Sequence, residues 1–180
     1  DTDQIKYLWK VDKTQENWEF KQGSATEKSP VFTFKTEDLY KVTLEAQNKC
    51  NTKTLDFNIQ TYEKVLFSLA KLPTACGEYT FDATSETEGL QVTGNESNIK
   101  SVLWVVYKST DNSNGNYQVA PAESYAFTTG NPATLRPVIQ LKEWGYYKIE
   151  LQTQTICNDE TVSTTIEIEE PIAITLTQPD

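Results

Sequence analysis

Pro30-Val31-Phe32-Thr33-Phe34-Lys35 and, after a short turn, Tyr40-Lys41-Val42-Thr43-Leu44 form a stretch that the chain contains twice. The same order of proline, apolar and polar positions returns as Pro137-Val138-Ile139-Gln140-Leu141-Lys142 and Tyr147-Lys148-Ile149-Glu150-Leu151, without a gap. We call the constant shift from Pro30 to Pro137 the repeat offset. A period of about a hundred residues is the size of one small domain. The sequence therefore predicts an array of one repeated unit rather than a single large domain.

Alternation of apolar and polar residues marks the repeated stretch as β-structure. Tyr40, Val42 and Leu44 alternate with Lys41 and Thr43, which is the period of two of a strand with one buried face. Similar patterns or short apolar runs cover residues 7–11, 31–34, 55–59, 65–69, 79–83 and 102–107. Because about seven short strands fall in each complete unit and no segment has a convincing helical period, we expect an all-β chain of tandem immunoglobulin-like β-sandwiches.

The boundaries of the units follow from the apolar positions at the end of the repeat. Val65–Leu69 returns at the repeat offset as Ile172–Leu176, so this segment opens a unit rather than closing one. We therefore predict an incomplete domain over residues 1–61, a complete domain over residues 62–169, and the start of a following unit over residues 170–180.

An insertion distinguishes the second unit from the first. Trp9 and Trp104 occupy matching positions, yet the distance between them is shorter than the repeat offset. The polar run Ser109–Asn116 has the composition of a loop. We expect about a dozen additional residues on a surface loop near residues 108–130.

The first unit is incomplete in this reading, because nothing ahead of Trp9 corresponds to Val65–Ala83. A sandwich without its opening strands exposes sheet edges and core. We expect the first domain either to be completed from elsewhere or to be a cleaved remnant. The chain contains no Met and begins at Asp1, which predicts that it is a segment of a longer product.

Composition argues against several classes of function. The formal charge is −10, with 26 acidic and 16 basic residues, whereas binding to nucleic acid or to an anionic membrane requires a basic surface. No apolar run is long enough to insert in a bilayer. The chain contains no His, which removes the commonest general base and the commonest zinc ligand.

The order of motifs resembles the PKD family of immunoglobulin-like domains. An aromatic strand at Tyr7-Leu8-Trp9 is followed by the strand that Pro30 opens and by a Tyr-x-Val-x-Leu strand that leads to Cys50. The second unit carries Gly145-Tyr146-Tyr147 in the Gly-x-Tyr position and Cys76-Gly77 before its second strand. The family's usual Phe-Gly-Asp-Gly after the tryptophan is absent, so both units are divergent, PKD-like members.

Divergent PKD-like units in tandem, with paired cysteines, resemble those of the SprB-like gliding-motility adhesins of Bacteroidetes, which type IX secretion exports. The resemblance implies a non-enzymatic segment of a large cell-surface protein that serves as extended stalk and adhesive surface. Its expected partners are neighbouring repeat units and a surface polysaccharide or other adhesion ligand, without a cofactor. The alternative is a carbohydrate-binding or accessory module of a secreted glycan-degrading system or a surface lipoprotein.

The cysteines are candidates for disulfides if the protein is exported. Cys76 and Cys157 fall in the complete unit, and Cys50 falls in the truncated one. A standard sandwich places the first two at opposite ends, whereas a disulfide requires Cα atoms within about 7 Å. Thiols, a bond within a unit and a bond between neighbouring units all remain open, because connectivity cannot be read from sequence.

The carboxylates are expected to form a solvated surface, and we predict no catalytic residue. Paired acids could serve glycoside hydrolysis or bind calcium, but both require convergence in a cleft. The acidic pairs fall on predicted loops or on the solvent faces of strands. Glu169 and Glu170, at the predicted joint with the following unit, are the candidate calcium ligands.

Aromatic residues supply the candidate binding surface. Trp18, Phe20, Tyr117, Tyr125 and Trp144 fall on predicted loops or edges, where aromatic rings stack on sugars or dock on partners. Of these, we select Trp144, Tyr117 and Tyr125 as the candidate surface, with structural packing as the alternative for Trp144. The strand positions predicted to be core are Trp9, Trp104, Tyr40 and Tyr147.

Overall fold

The computed structural model describes residues 4–111 and 113–172. Its backbone divides into two compact units, Asp1–Glu63 and Lys64–Asp180. The described residues form fifteen strands and one short 3₁₀ helix, which confirms the prediction of an all-β chain.

Unit 1 contains five strands in two antiparallel sheets. The strands are β1 (Lys6–Val11), β2 (Trp18–Gln22), β3 (Val31–Phe34), β4 (Leu39–Gln47) and β5 (Thr52–Gln60). One sheet has the order β1-β4-β5, and the other pairs β2 with β3. The described part of the unit thus lacks counterparts of the strands that open unit 2.

Unit 2 contains ten strands and the short helix. They are β6 (Leu66–Leu69), β7 (Ala75–Cys76), β8 (Tyr79–Asp82), β9 (Leu90–Thr93), the helix Glu96–Asn98, β10 (Ile99–Ser109), β11 (Tyr117–Val119), β12 (Tyr125–Thr129), β13 (Val138–Leu141), β14 (Gly145–Thr155) and β15 (Asp159–Glu169). The sheets have the orders β11-β10-β14-β15-β7, β12-β13-β8 and β6-β9. All pairs are antiparallel except β7 with β15.

The internal repeat of the sequence is also a repeat of hydrogen bonds. The indole of Trp9 donates to the carbonyl oxygen of Glu27 at 3.0 Å, and the indole of Trp104 donates to that of Thr134 at 3.0 Å. The two acceptors are separated by the repeat offset, although the two tryptophans lie closer together in the chain. The same tertiary contact therefore recurs in both units despite the insertion.

The additional residues of unit 2 extend β10 and build a hairpin with β11. Asp111 closes the turn by accepting hydrogen bonds from Ser113 Oγ at 2.7 Å, from Ser109 Oγ at 2.8 Å and from the amide of Asn116. These bonds, with Ser113 foremost, hold the pKa of the Asp111 carboxyl well below its usual range. Asn116 adopts a φ of 47°, a left-handed conformation that asparagine tolerates better than most residues.

A hydrophobic core fills unit 2 between its two larger sheets. The Phe81 ring on one sheet lies 5.6 Å from the Trp104 ring on the other, centroid to centroid. Ile149 and Leu151 of β14 are fully buried in the same core. Inward positions of both sheets thus meet face to face, which is the immunoglobulin-like sandwich arrangement.

The core of unit 1 is smaller and mainly aromatic. Tyr40 and Val42 are buried, and Trp18 is only 6% exposed, with its ring 5.2 Å from that of Phe20. The prediction that Trp18 lies on an exposed edge is therefore wrong, because its ring turns inward from β2. Trp9 is half-buried rather than core, since no strand of the described unit 1 corresponds to β8, which carries Phe81 against Trp104.

A tyrosine links two layers of unit 1 in the manner of immunoglobulin-like domains. The Tyr40 hydroxyl, at the start of β4, donates to the carbonyl oxygens of Asn17 at 3.1 Å and of Thr36 at 3.2 Å. It also shares a hydrogen bond of 2.6 Å with the Thr36 hydroxyl. A bond from this strand back to the backbone a few residues upstream is the tyrosine corner of such sandwiches.

Candidate functional site

The exposed indole of Trp144 lines an open depression of about 520 Å³ in unit 2. Trp144 stands in the turn between β13 and β14 and is 40% exposed. The next residue, Gly145, has a φ of 128°, a conformation that favours glycine and lets the chain enter β14 directly. The other lining residues are Gly77, Glu78, Lys108, Lys142, Glu143 and Pro171.

Three of the charged groups that line this depression have side-chain partners. Lys108 Nζ lies 2.6 Å from a carboxylate oxygen of Glu143, and the Gln140 side-chain amide donates to Glu78 at 2.9 Å. Burial on its own lowers the pKa of Lys108, but the hydrogen bond with Glu143 and the nearby Tyr147 raise it above the usual value. Lys108 therefore stays protonated at neutral pH.

An exposed indole flanked by oriented donors and acceptors can stack on an apolar ring face and bind hydroxyl groups at its edge. This arrangement is suited to binding a ligand. Trp144 is partly exposed, and its role as a binding residue stays a prediction. Sequence reasoning did not select the lining lysines and glutamates. One signal in the sequence could have indicated these charged residues. Lys108 is a charged residue that falls in phase with the core positions Trp104 and Val106 of β10.

Tyr117 belongs to a different surface, the outer face of the five-stranded sheet. Its hydroxyl donates to Asn114 Oδ1 at 2.8 Å, and its backbone pairs with Ser109. On the neighbouring strands, Lys148 Nζ lies 4.1 Å from the centroid of the Tyr107 ring. Such a cation over an aromatic face is attractive even at a partly exposed site.

A carboxylate completes this outer-face cluster. Glu150 accepts from the Tyr107 hydroxyl at 3.1 Å and lies 2.9 Å from Lys148 Nζ. Burial raises the pKa of Tyr107, and its bond to Glu150 raises it further. Sequence reasoning missed this cluster, although Lys148 and Glu150 alternate on β14 with the core residues Tyr147 and Ile149.

Tyr125 lies neither in the Trp144 depression nor on the outer face of the five-stranded sheet. It lies on β12, half-buried, and packs against the hydrophobic core of unit 2. Its ring is 6.0 Å from that of Phe127. Much of this side chain therefore serves packing rather than an open surface.

The three cysteines are exposed, and no disulfide links them within the described residues. Cys50 and Cys157 lie in equivalent turns, where Asn48 Oδ1 and Thr155 Oγ1 accept from their backbone amides at 2.9 and 3.2 Å. Cys76 Sγ lies 4.0 Å from Glu169.

Strand geometry limits the pairing of the cysteines in unit 2. Cys76 pairs with the last residue of β15, whereas Cys157 precedes the first. These ends are about 30 Å apart at the rise of a strand, and a disulfide spans only about 7 Å between Cα atoms. Thiols and a bond between neighbouring units remain as the alternatives.

Among residues 4–111 and 113–172, no three His, Cys, Asp or Glu side chains are close enough to hold a metal ion. Glu169 and Glu170 are both exposed at the end of the described chain, so calcium at that joint stays a prediction. Over the same residues, no helix has the length and apolar character needed to cross a membrane.

Comparisons with known proteins give neighbours in structure only. No protein-family model and no curated protein matches the sequence. Among solved structures, an I-band fragment of titin is 17% identical with a TM-score of 0.44, over 93% of this chain and 56% of that one. A tandem of titin immunoglobulin domains is 13% identical with a TM-score of 0.35, over 94% and 83%. The chain thus spans just over half the length of the I-band fragment.

Proposed function

We propose that this chain is a non-enzymatic segment of a repeat array in a large cell-surface adhesin, with PKD-like units of the SprB-like kind. Its role is to extend the protein from the cell as a stalk and to present an adhesive surface during gliding. The observation that supports this best is the recurrence of the tryptophan hydrogen bond, Trp9 to Glu27 and Trp104 to Thr134, in two successive units.

Repetition of one unit is how extended proteins gain length, because each unit contacts only its neighbours. The formal charge of −10 also suits a stalk, since like charges on successive units repel and keep a surface soluble. In this proposal the protein is exported, its partners are further units of the same chain, and its ligand is a surface polysaccharide or other adhesion ligand.

The proposal is tested on the cells that produce the protein. Antibodies raised against the full chain are expected to label intact cells, and the label is expected to vanish when surface proteins are shaved with protease. Monovalent Fab fragments are expected to reduce attachment and gliding, whereas Fab fragments against a cytoplasmic protein do not. Labelling that appears only after cells are made permeable would contradict it.

Carbohydrate binding by a secreted module is the second candidate, and Trp144 is the observation that favours it. Its exposed indole provides a ring-stacking surface beside Lys142 and Glu143, which line the same depression. Tyr117, on the other surface, is the second candidate platform.

A glycan array distinguishes the two surfaces. If the Trp144 depression binds sugars, Trp144→Ala removes binding and Tyr117→Ala retains it, and the reverse holds for the sheet face. Leu66→Ala is the control, because Leu66 is 45% exposed and lies on β6, outside both the Trp144 depression and the five-stranded sheet. Binding that survives both changes would exclude this candidate.

A further inference from the structure

The outer face of the β1-β4-β5 sheet in unit 1 is an ordinary solvated surface. Lys10 Nζ lies 2.5 Å from Glu45 Oε1, and Lys41 Nζ lies 2.9 Å from Asp56 Oδ2. Exposed ion pairs of this kind contribute little to stability. Because both units are built from one pattern, this face is an internal reference for its equivalent in unit 2.

The equivalent outer face of unit 2 has lost most of these charges. Lys148 keeps the place of Lys41 at the repeat offset, and the Glu150 carboxylate, 2.9 Å from its Nζ, neutralises it. With Trp9 matched to Trp104 for β10, the other three charged residues are replaced by uncharged ones, which are Val105, Gln152 and Ser163. These positions lie on the solvent side of the sheet, so the change alters what the face can bind.

The insertion of unit 2 enlarges the same face. β11 pairs with β10 and places Val119 beside Tyr107 and Tyr117 beside Ser109. Residues directly opposite each other in an antiparallel pair share one face of the sheet, so Val119 and Tyr117 lie on the outer face. Val119 is 66% exposed. Among residues 4–63 no strand extends the sheet beyond β1 in this way, so the added area belongs to unit 2.

Hydroxyl and amide side chains form a polar strip along this face. The outward positions of β15 hold Thr161, Ser163 and Thr165, all exposed, and those of β14 hold Gln152 and Gln154. Alcohols and amides both donate and accept hydrogen bonds. Sugar hydroxyls do the same, so the polar strip matches a carbohydrate along its length.

A shallow groove at one end of the polar strip adds an apolar contact. It has a volume of about 410 Å³, and Leu103, Gln154 and Thr161 from three neighbouring strands help to line it. Leu103 is 46% exposed. Ser101 Oγ donates to Gln154 Oε1 at 3.1 Å, which leaves the N–H groups of that amide for a ligand.

The outer face is long enough for an extended polymer. From Tyr146 to Gln154, the outward positions of β14 extend over about 27 Å at the rise of a strand. Tyr117 lies at the Tyr146 end of this line, beside Ser109. Aromatic and aliphatic side chains at the two ends, Tyr117 and Leu103, can contact the apolar faces of sugar rings.

The charges of this face favour a neutral ligand. Lys148 is paired with Glu150, whereas Asp159 and Glu167 lie near the two ends of β15, where their carboxylates repel an acidic polymer. The centre of a protein interface is depleted in charged residues and in serine. A face centred on Lys148, Glu150 and Ser163 therefore suits a neutral carbohydrate better than a protein.

We propose that the outer face of unit 2 binds an extended, neutral polysaccharide that runs along β14. Sugar rings contact Tyr117 at one end and Leu103 at the other, and sugar hydroxyls exchange hydrogen bonds with the polar strip between them. The inference deepens the adhesin proposal and rests on it, because it takes the adhesion ligand to be a polysaccharide.

Affinity electrophoresis of the full chain, in native gels that contain a dissolved polysaccharide, tests the proposal. The probes are galactomannan, hydroxyethyl cellulose and laminarin as neutral polymers, and alginate as an acidic one. The wild-type chain is expected to be retarded by at least one neutral polymer and not by alginate. Retardation by none of the neutral polymers, or by alginate alone, would overturn the proposal.

One variant at each end of the face tests the position of the site. Tyr117→Ala and Gln154→Ala are each expected to raise the Kd for the retarding polymer by about twofold to tenfold, the loss expected from one or two contacts. Because the two residues are far apart, their effects are expected to multiply in the double variant. Wild-type affinity in the double variant would exclude the outer face.

Gln47→Ala is the matched control, because Gln47 is the exposed equivalent of Gln154 on the outer face of unit 1. It is expected to bind as the wild-type chain does, and a loss equal to that of Gln154→Ala would overturn the proposal. Loss of binding in Trp144→Ala, with Gln154→Ala unaffected, would overturn it as well. These results leave the adhesin proposal to its own test, since labelling and Fab inhibition of intact cells do not depend on which face binds.

Discussion

Thr164 Oγ1 lies 2.7 Å from the carbonyl oxygen of Ala70 and donates a hydrogen bond to it. The bond ties the segment after the first strand of unit 2 to its last strand, 94 residues later in the chain. In unit 1 the equivalent of Thr164 is Phe57, and residues 4–63 provide no such segment for it to contact. This one bond therefore marks the difference between a closed and an open sandwich.

Thr164→Val is expected to destabilise unit 2 by about 0.5 to 1.5 kcal/mol, because it removes a partly buried hydrogen bond to the Ala70 carbonyl. Thr165→Val is the matched control, since Thr165 is exposed on the opposite face of the same strand. Urea unfolding followed by hydrogen-exchange mass spectrometry of unit 2 measures both. Equal stability of the two variants would show that the bond contributes nothing.

Truncation of the equivalent leucines should lower the free energy of unfolding more in unit 2 than in unit 1. Leu151 is fully buried on β14, and its replacement by Ala is expected to cost about 2 to 5 kcal/mol. Leu44, its equivalent on β4, is only half-buried, so Leu44→Ala removes less covered surface and is expected to cost less. Denaturant titrations of the two variants compare them directly, and a larger loss at Leu44 would contradict the open core of unit 1.

The equivalent tyrosines Tyr40 and Tyr147 should respond differently to loss of their hydroxyls. Tyr40→Phe is expected to cost about 1 kcal/mol, because it removes the hydrogen bonds to Asn17 and Thr36. Tyr147 is equally buried, but its hydroxyl makes no hydrogen bond of normal geometry within the described chain. Tyr147→Phe is therefore expected to change stability by less than about 0.5 kcal/mol. Thermal unfolding of both variants provides the comparison.

Gly94 is expected to tolerate no side chain. Its φ is +104°, and a Cβ atom would lie 2.6 Å from the carbonyl oxygen of Lys64. We expect Gly94→Ala to destabilise unit 2 by about 1 to 3 kcal/mol through backbone strain, in addition to this contact. At Gly115 the nearest atom to such a Cβ is 3.9 Å away, so Gly115→Ala is the control. Similar midpoints in guanidinium for both variants would contradict the prediction.

Tyr79 is expected to lose its proton at a higher pH than an ordinary tyrosine does. Burial, together with the charge of Glu88, which accepts a hydrogen bond from the Tyr79 hydroxyl at 3.2 Å, raises the pKa of Tyr79 to about 12. The folded pKa of Tyr79 exceeds the ordinary value of 10.0. The contribution of protonated Tyr79 to the stability of unit 2 is therefore complete below about pH 10 and is lost as the pH rises through 12. Glu88→Gln is expected to lower the pKa while leaving the burial effect. Ultraviolet difference titration against Tyr79→Phe isolates this tyrosine, and a pKa near 10 in the wild-type chain would be the contrary result.

The alternation of apolar and polar residues along the chain was sufficient to predict the strands and the internal repeat. Tyr40, Val42 and Leu44 alternate in the sequence, and their side chains point to the core of unit 1 from β4. The candidate binding residues were less predictable, because exposure depends on neighbours that are distant in sequence. Trp18 and Tyr125 occupy equivalent strand positions at which the ring turns inward, whereas Trp144 stands in a turn with only part of its ring covered.

The sequence by itself determined that the chain is all-β and built twice from one pattern, because strand periodicity and an internal repeat are properties of the linear order of residues. Only the tertiary structure decided which apolar residues are covered. Phe57 and Thr164 occupy the same position in the pattern, but burial is set by the strand that packs across it. Residues 64–70 provide that strand in unit 2, and the described residues of unit 1 provide none.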